Sequence, residues 1–319
     1  MPFAVVLRLP FLGPHPWARP SKPASFVTLA VALAMTLVLV ASVAVAQQQP
    51  QPPAPGPQAP AQAQQARTPP AAPGTVTFNT VITKLKNKQQ VFCNTLTDPD
   101  LDAARKACEG QDYVWIEMQH STLTWREAQN LIEVVASAGC IPFVRVPFAN
   151  VGDIQKATDA GALGIIVPMV ETVQEARNAV LFSKFPVGNL ASPNTRPWGH
   201  RSSGQNRAVS IWGRDYPTNA NNNMFIMIQI ETPAGVGMID NILEEVEGID
   251  AVMVASNDFG QHAGDRDGSP SYNAREELVR KSALAHGKIL AGPSSWHDRP
   301  GYMMFQGRRV ATGTGYEPR

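Results

Sequence analysis

The chain has 319 residues, of which 44% are hydrophobic and 17% charged, and 27 Lys+Arg against 26 Asp+Glu leave a formal charge of +1. With no basic stripe and no Arg-rich helix, this balance speaks against nucleic acid as a partner. The three cysteines, Cys93, Cys108 and Cys140, are spaced 15 and 32 residues apart and fit neither a zinc motif nor a disulfide framework.

Residues 1–74 contain no Asp or Glu. They hold a basic start (Arg8, Arg19, Lys22) and an uncharged apolar run from Phe26 to Ala46. The run ends Ala44-Val45-Ala46, an A-x-A-like cleavage site. This is the layout of an export signal over residues 1–46. The alternative is an uncleaved anchor, since the run could span a bilayer of roughly 30 Å. The expected location is periplasmic or secreted, with membrane contact only if the segment stays uncleaved. Residues 47–74 are dominated by Pro, Gln and Ala and read as an extended, disordered linker. The remaining 23 basic against 26 acidic residues give the body, 75–319, a formal charge of −3. Its length suits a single α/β barrel.

In that body, apolar runs alternate with amphipathic segments. Strands are predicted at Gln90–Leu96, Tyr113–Met118, Ile141–Pro147, Gly164–Val170, Phe225–Glu231, Ala251–Ala255, Lys288–Gly292 and Arg309–Thr312. Helices are predicted at Asp98–Glu109, opening Asp-Pro as cap and first position, and at Thr124–Ala138, opening with the capping box Thr124-Trp-Arg-Glu127. Further helices are predicted at Val151–Ala160, Thr172–Lys184 (a second capping box, Thr172 to Glu175), Pro233–Val246, Asn273–His286 and a short Asp298–Gln306. Strand–helix units repeated to eight strands predict a (β/α)8 barrel. Residues 185–224, rich in Asn, Ser, Pro and Arg, show no periodic element and read as a functional or interface loop. No eighth helix is expected after the last strand.

Polar side chains cluster where the apolar runs end. The second strand closes on Glu117-Met118-Gln119-His120, the third on Arg145, the fifth on Gln229-Ile230-Glu231, and the sixth on Ser256-Asn257-Asp258. Parallel α/β enzymes deliver chemistry to this rim. Two carboxylates on neighbouring strands, Glu231 and Asp258, can hold a divalent metal between them. No Lys stands at a strand end where a Schiff base would form; Lys288 starts its strand. His200 and His262 read as loop or rim residues, and Trp198 and Trp212 as packing anchors.

These segments resemble the HpcH/HpaI aldolase/citrate lyase family, the class II pyruvate aldolases of the phosphoenolpyruvate/pyruvate barrel superfamily. The resemblance covers roughly residues 88–315. It rests on Val167-Pro-Met-Val170, Gln229-Ile-Glu-Thr232, Gly199-His-Arg201-Ser-Ser-Gly204 and the segment His286–Gly292. It implies a carbon–carbon lyase that cleaves a 4-hydroxy-2-oxo acid to pyruvate and an aldehyde through a metal-stabilised enolate. It also implies Glu231 and Asp258 as ligands of Mg²⁺ or Mn²⁺ (Co²⁺ in the test tube), Arg145 as the cation at the developing oxyanion, His120 as base, and Asp159 as the acid that orients His120. Gln229, Ser256, Asn257 and Glu117 are implied substrate contacts, with the Ser256–Asp258 amides toward the carboxylate. A homo-oligomer is expected.

The chain departs from the family pattern in three ways. The usual Asp-Gly-Glu-His is here Glu117-Met-Gln-His120. Residues Asn189–Trp198 are an insertion, expected with the rest of 185–224 to shape the aldehyde side. The last helix, often exchanged between subunits in the family, is expected to be absent. Two other readings remain open: a citrate-lyase or malyl-CoA-lyase type of C–C lyase, disfavoured by export, and a non-catalytic exported oxo-acid-binding protein.

Overall fold

The computed structural model describes residues 75–186 and 199–310. The predicted leader and linker, the Asn189–Trp198 insertion and the tail after residue 310 lie outside them. Among the described residues no helix is long and apolar enough to cross a membrane.

Eight parallel strands close a barrel in sequence order: β1 Val91–Leu96, β2 Tyr113–Glu117, β3 Ile141–Arg145, β4 Gly164–Val167, β5 Phe225–Ile230, β6 Ala251–Val254, β7 Ile289–Pro293 and β8 Tyr302–Gln306. Closure pairs β8 with β1, Val91 opposite Met304 and Phe92 opposite Phe305, so no edge is left. The helices around and below the barrel include α1 Thr80–Lys86, α2 Leu101–Ala107, α3 Trp125–Ser137, α4 Val151–Ala160, α5 Val173–Ser183, α6 Asn206–Trp212 and α7 Tyr216–Asn223. They are completed by α8 Pro233–Glu245, α9 Ser256–Gln261 and α10 Pro270–Ala285.

Strand parity sorts the side chains. Val114, Ile116, Val144, Ile165, Ile228 and Val252 face the helices and join the larger apolar cluster. Tyr113, Trp115, Phe143, Ile166, Met227 and Met253 alternate with them and fill the barrel interior. By the same period of two, Glu117 follows Trp115 inward, Arg145 follows Phe143, and Gln229 and then Glu231 follow Met227. The polar residues at the strand ends therefore cap an apolar interior. Gly164 shows how tight that interior is: a Cβ there would overlap the Phe143 ring.

Both predicted capping boxes form. Thr124 caps α3 with Glu127, and Thr172 caps α5 with Glu175. The cap of α2 is Asp100 rather than Asp98; its side chain accepts from the amides of Asp102 and Ala103. The larger correction is at the C-terminal side. The segment predicted as the helix Asp298–Gln306 contains β8, and Arg309–Thr312 is not the eighth strand: its described residues, Arg309 and Val310, are irregular. Gly301 and Gly307, both at positive φ, bracket the apolar run Tyr302–Phe305, and barrel closure buries that run between β7 and β1.

Two features of the N-terminal face were not legible as elements. Helix α1 buries Val81 and Leu85 against the bottom of the barrel interior. Residues 206–223 of the supposed loop form α6 and α7. The Asn-rich run of α7 works as a set of backbone clasps. Asn223 Oδ1 accepts from the Phe78 and Asn79 amides at 2.6 and 3.0 Å, and its Nδ2 donates to Val76 O at 2.8 Å. Asn219 Oδ1 accepts from Val76 N, and Asn221 exchanges two bonds with the Phe185 backbone. Replacing Asn223 with alanine orphans the buried Asn79 amide and the half-buried Phe78 amide and Val76 carbonyl, at ~1–3 kcal/mol for a fully buried group. Urea unfolding should show a loss of at least ~2 kcal/mol; a loss under about 0.5 kcal/mol would contradict this account of the clasp.

Candidate active site

The inward-facing ends of β2, β3 and β5 form one hydrogen-bonded unit. Glu117, at the end of β2, is buried, and its carboxylate is fully engaged. Oε2 accepts from Trp115 Nε1 at 3.1 Å and from Arg145 Nε at 2.6 Å. Oε1 accepts from the Gln119 and His120 amides at 2.7 and 3.0 Å. Arg145, only 8% exposed, also stacks 5.3 Å from the Trp115 ring and donates from Nη1 to Gln229 Oε1 at 3.3 Å. Gln229 in turn points its amide nitrogen at Met253 Sδ, 3.6 Å away. The buried guanidinium is thus held in one orientation by an acid below and an amide beside it. Such a buried pair has little freedom to reorganise.

Glu231 stands one residue past β5. Its Oε2 accepts from the Met169 amide at 2.6 Å, and its Oε1 is buried with no partner. Met169 holds this position with φ +53°, a left-handed backbone uncommon for a side-chain-bearing residue. Burial pushes the Glu231 carboxyl up to about 7; the Met169 amide opposes this, the nearby Asp258 charge adds to it, and Arg145 and His262 oppose it more weakly. Asp258 lies in the first turn of α9, whose start carries no side-chain cap. Asn257 is exposed, and the Ser256 carbonyl accepts from the Tyr272 hydroxyl at 3.3 Å. His262 Nδ1 lies 2.9 Å from the Asp258 carbonyl, at the rim as expected.

Among the described residues no cluster of three or more His, Cys, Asp or Glu side chains is poised for a metal. The pair Glu231 and Asp258 nonetheless fits a hard divalent cation. An oxygen-only donor set with most positions left to water or substrate suits such an ion, and a cation there would partner the orphaned Oε1 and offset the burial of the carboxylate. Gln119 Oε1 is a second buried acceptor without a partner in this region.

The structure brings together Glu117, Arg145, Gln229 and Glu231, with Asp258 near enough to Glu231 to affect its ionisation. Ser256 and Asn257 begin the helix that carries Asp258. His120 is exposed on the loop after β2, and among the described residues its ring makes no hydrogen bond.

Two expectations are corrected. Asp159 does not orient His120. It lies in the last turn of α4, which returns the chain to the start of β4 and so to the opposite face of the barrel. There its carboxylate accepts from Arg201 Nη2 at 2.9 Å and Nε at 3.3 Å. Arg201 is buried, stacks 4.2 Å from the Phe185 ring and donates to the Tyr216 hydroxyl at 2.9 Å. Gly204 packs so closely that a Cβ would meet the Asp159 carboxylate. The Gly199–Gly204 motif is therefore a structural clasp, and the described part of 185–224 does not border the mouth. Glu117 is also not free to contact substrate: its four donors use both oxygens, and its work is to hold Arg145 and the turn carrying His120. The i, i+2 parity of Trp115 and Glu117 with their partners across the barrel could have suggested this; the positive φ of Met169 had no sequence signal. Asp159→Asn should cost ~1–3 kcal/mol in urea unfolding and leave any activity of the folded protein within about twofold of wild type. A large catalytic loss at full folding would restore the discarded role.

The family profile of the HpcH/HpaI aldolase/citrate lyases matches residues 95–314. The chain belongs to that family. A hydroxypyruvate/pyruvate aldolase from Rhizorhabdus wittichii is 35% identical over 176 residues, 55% of this chain and 64% of that protein. A 2-keto-3-deoxy-L-rhamnonate aldolase from Salmonella gallinarum is 29% identical over 197 residues, 59% of this chain and 70% of that protein. The chain thus spans under two thirds of the former relative's length. Among solved structures, an HpcH/HpaI aldolase from Desulfitobacterium hafniense superposes with a TM-score of 0.63 at 26% identity, covering 71% of this chain and 88% of that one. Macrophomate synthase, at 24% identity and TM-score 0.60, shares the fold.

Proposed function

We propose that this chain is a divalent-metal-dependent aldolase that cleaves a 4-hydroxy-2-oxo acid to pyruvate and an aldehyde. The observation that carries the reading is Glu231: a buried carboxylate with one unpartnered oxygen, beside Asp258 and next to the Glu117-held Arg145. Family membership and the aldolase names of the relatives support it.

Glu231 and Asp258 would hold Mg²⁺ or Mn²⁺, and the ion would supply Lewis acidity at the 2-oxo group. The Met169 amide keeps Oε2 of Glu231 occupied, which leaves the buried, unpartnered Oε1 available to the ion. Ser256 and Asn257 receive the substrate carboxylate. His120 takes the proton of the C4 hydroxyl, and the C3–C4 bond breaks as the aldehyde forms. The electron pair moves toward the C2 oxygen, where Arg145 meets the growing negative charge without reorganising, since Glu117 and Gln229 already fix it. The proton taken by His120 then returns, through water, to C3 of the enolate, which gives pyruvate and restores the base, and pyruvate and aldehyde leave.

The test is pyruvate release from a 4-hydroxy-2-oxo acid with Mn²⁺ or Mg²⁺ and with a chelator. Release that stops on chelation and returns with metal supports the reading. Equal rates in both conditions would sink it. Binding of the oxo acid with no turnover at all would instead identify an oxo-acid-binding protein. Export remains part of the proposal: sequencing of the mature protein's N-terminus is expected to start at Gln47, whereas retention of Phe26–Ala46 in a membrane fraction would favour the anchor.

A further inference from the structure

The three cysteines are buried but differently placed. Cys93 lies inside the barrel on β1. Cys108 ends α2, and Cys140 immediately precedes β3; both belong to the layer between sheet and helices. The fold brings the latter two together. Cys140 Sγ donates to the Cys108 carbonyl at 3.5 Å and approaches the Gln111 carbonyl at 3.9 Å. Cys108 Sγ turns to the Val135 carbonyl at 3.8 Å, on the same turn that leads to Cys140. Each sulfur is thus directed into the small volume between the end of α2 and the start of β3.

We propose that Cys108 and Cys140 form a disulfide when the chain folds in an oxidising setting, leaving Cys93 as a free thiol. The bridge would tie the end of α2 to the start of β3, closing a loop that contains β2 and α3 and with them the turn bearing His120. A cross-link of that span restricts the unfolded chain and so stabilises the fold. The hydrogen bond from the Cys140 thiol holds the Cys108 thiol below its usual range, which favours Cys108 as the attacking thiolate, while burial pushes Cys93 up to about 12 and keeps it inert.

The chemistry is thiol–disulfide exchange with an external disulfide of the glutathione or oxidoreductase class. The Cys108 thiolate attacks one sulfur of that disulfide and expels a thiolate, giving a mixed disulfide. Cys140, losing its proton to solvent, then attacks the Cys108 sulfur and expels the second thiolate. The two cysteines lose two electrons, and the external disulfide becomes two thiols. The inference is independent of the aldolase reading, because neither thiol faces the strand ends.

The test uses the full chain, refolded in a glutathione/glutathione-disulfide buffer and, in parallel, treated with diamide in the native state. Free thiols are alkylated before tryptic mapping without reduction. Trypsin cuts after Lys106, Arg126 and Arg145, so the two cysteines fall on separate peptides, 107–126 and 127–145. The expected product is these two peptides joined, about 2 Da lighter than their sum, with Cys93 alkylated. The oxidised protein should melt roughly 5–10 °C above the reduced form. Cys108→Ser and Cys140→Ser should abolish the joined peptide and the redox dependence of melting, and Cys93→Ser should keep both. Three alkylated thiols in both oxidised samples, or a cross-link through Cys93, would overturn the assignment.

Discussion

Replacing Glu231 with glutamine is expected to lower metal-dependent pyruvate release about a thousandfold, equivalent to ~4 kcal/mol of transition-state stabilisation. Glutamine keeps an acceptor for the Met169 amide, so the fold should survive. The charge is lost, and Asp258 alone is a poor site for a hard cation. A second readout separates metal binding from catalysis. Wild-type protein should melt at higher temperature when Mn²⁺ is added, because the ion binds the folded state. Glu231→Gln should show no such rise. Without metal, the variant should melt at or above wild type, since it no longer buries a carboxylate that lacks a partner for Oε1. A variant that retains both the Mn²⁺-induced rise and its turnover would refute the assignment of Glu231.

The second large effect is expected at Arg145. Removing one preorganised donor from a developing oxyanion costs about 10²–10³ in rate. Arg145→Ala should reach at least that loss, and it also leaves Glu117 buried without its ion-pair partner, at a cost of ~3–5 kcal/mol. The double variant Glu117→Gln/Arg145→Met removes both charges. It should recover much of the stability and none of the activity. Stability that falls without recovery in the double variant would mean that Glu117 is held by its amide donors and not by the guanidinium. Full activity in either variant would remove Arg145 from the reaction.

Much of this molecule was legible because its signals are local. The capping boxes at Thr124 and Thr172 form from residues three apart, and both appear where the spacing predicts. Strands β1 to β7 are short apolar runs bounded by turns and helix caps. The polar residues that end β2, β3, β5 and β6 stand out because buried parallel strands tolerate polarity only at their rims.

What was misread depended on distant partners. The run Tyr302–Phe305 could be either helix or strand by itself, and only the gap between β7 and β1 makes it β8. The Asn residues of α7 suggested a loop, yet their amides clasp backbone far away in sequence at Val76, Phe78 and Asn79. Asp159 sits before a strand and carries the right charge for a catalytic pair, but the helix that holds it ends on the opposite face, against Arg201.

The sequence by itself determined the repeating strand–helix order, the parity that turns Glu117, Arg145, Gln229 and Glu231 inward, and the membership that those strand ends announce. These follow from backbone periodicity and from the cost of burying polar groups, which any short window of chain obeys. Only the tertiary structure decided which acid supports which base, that Glu117 is consumed in holding Arg145, that Glu231 keeps one oxygen free, and that Cys108 meets Cys140. Those outcomes depend on distances between residues far apart in the chain, and barrel closure sets those distances.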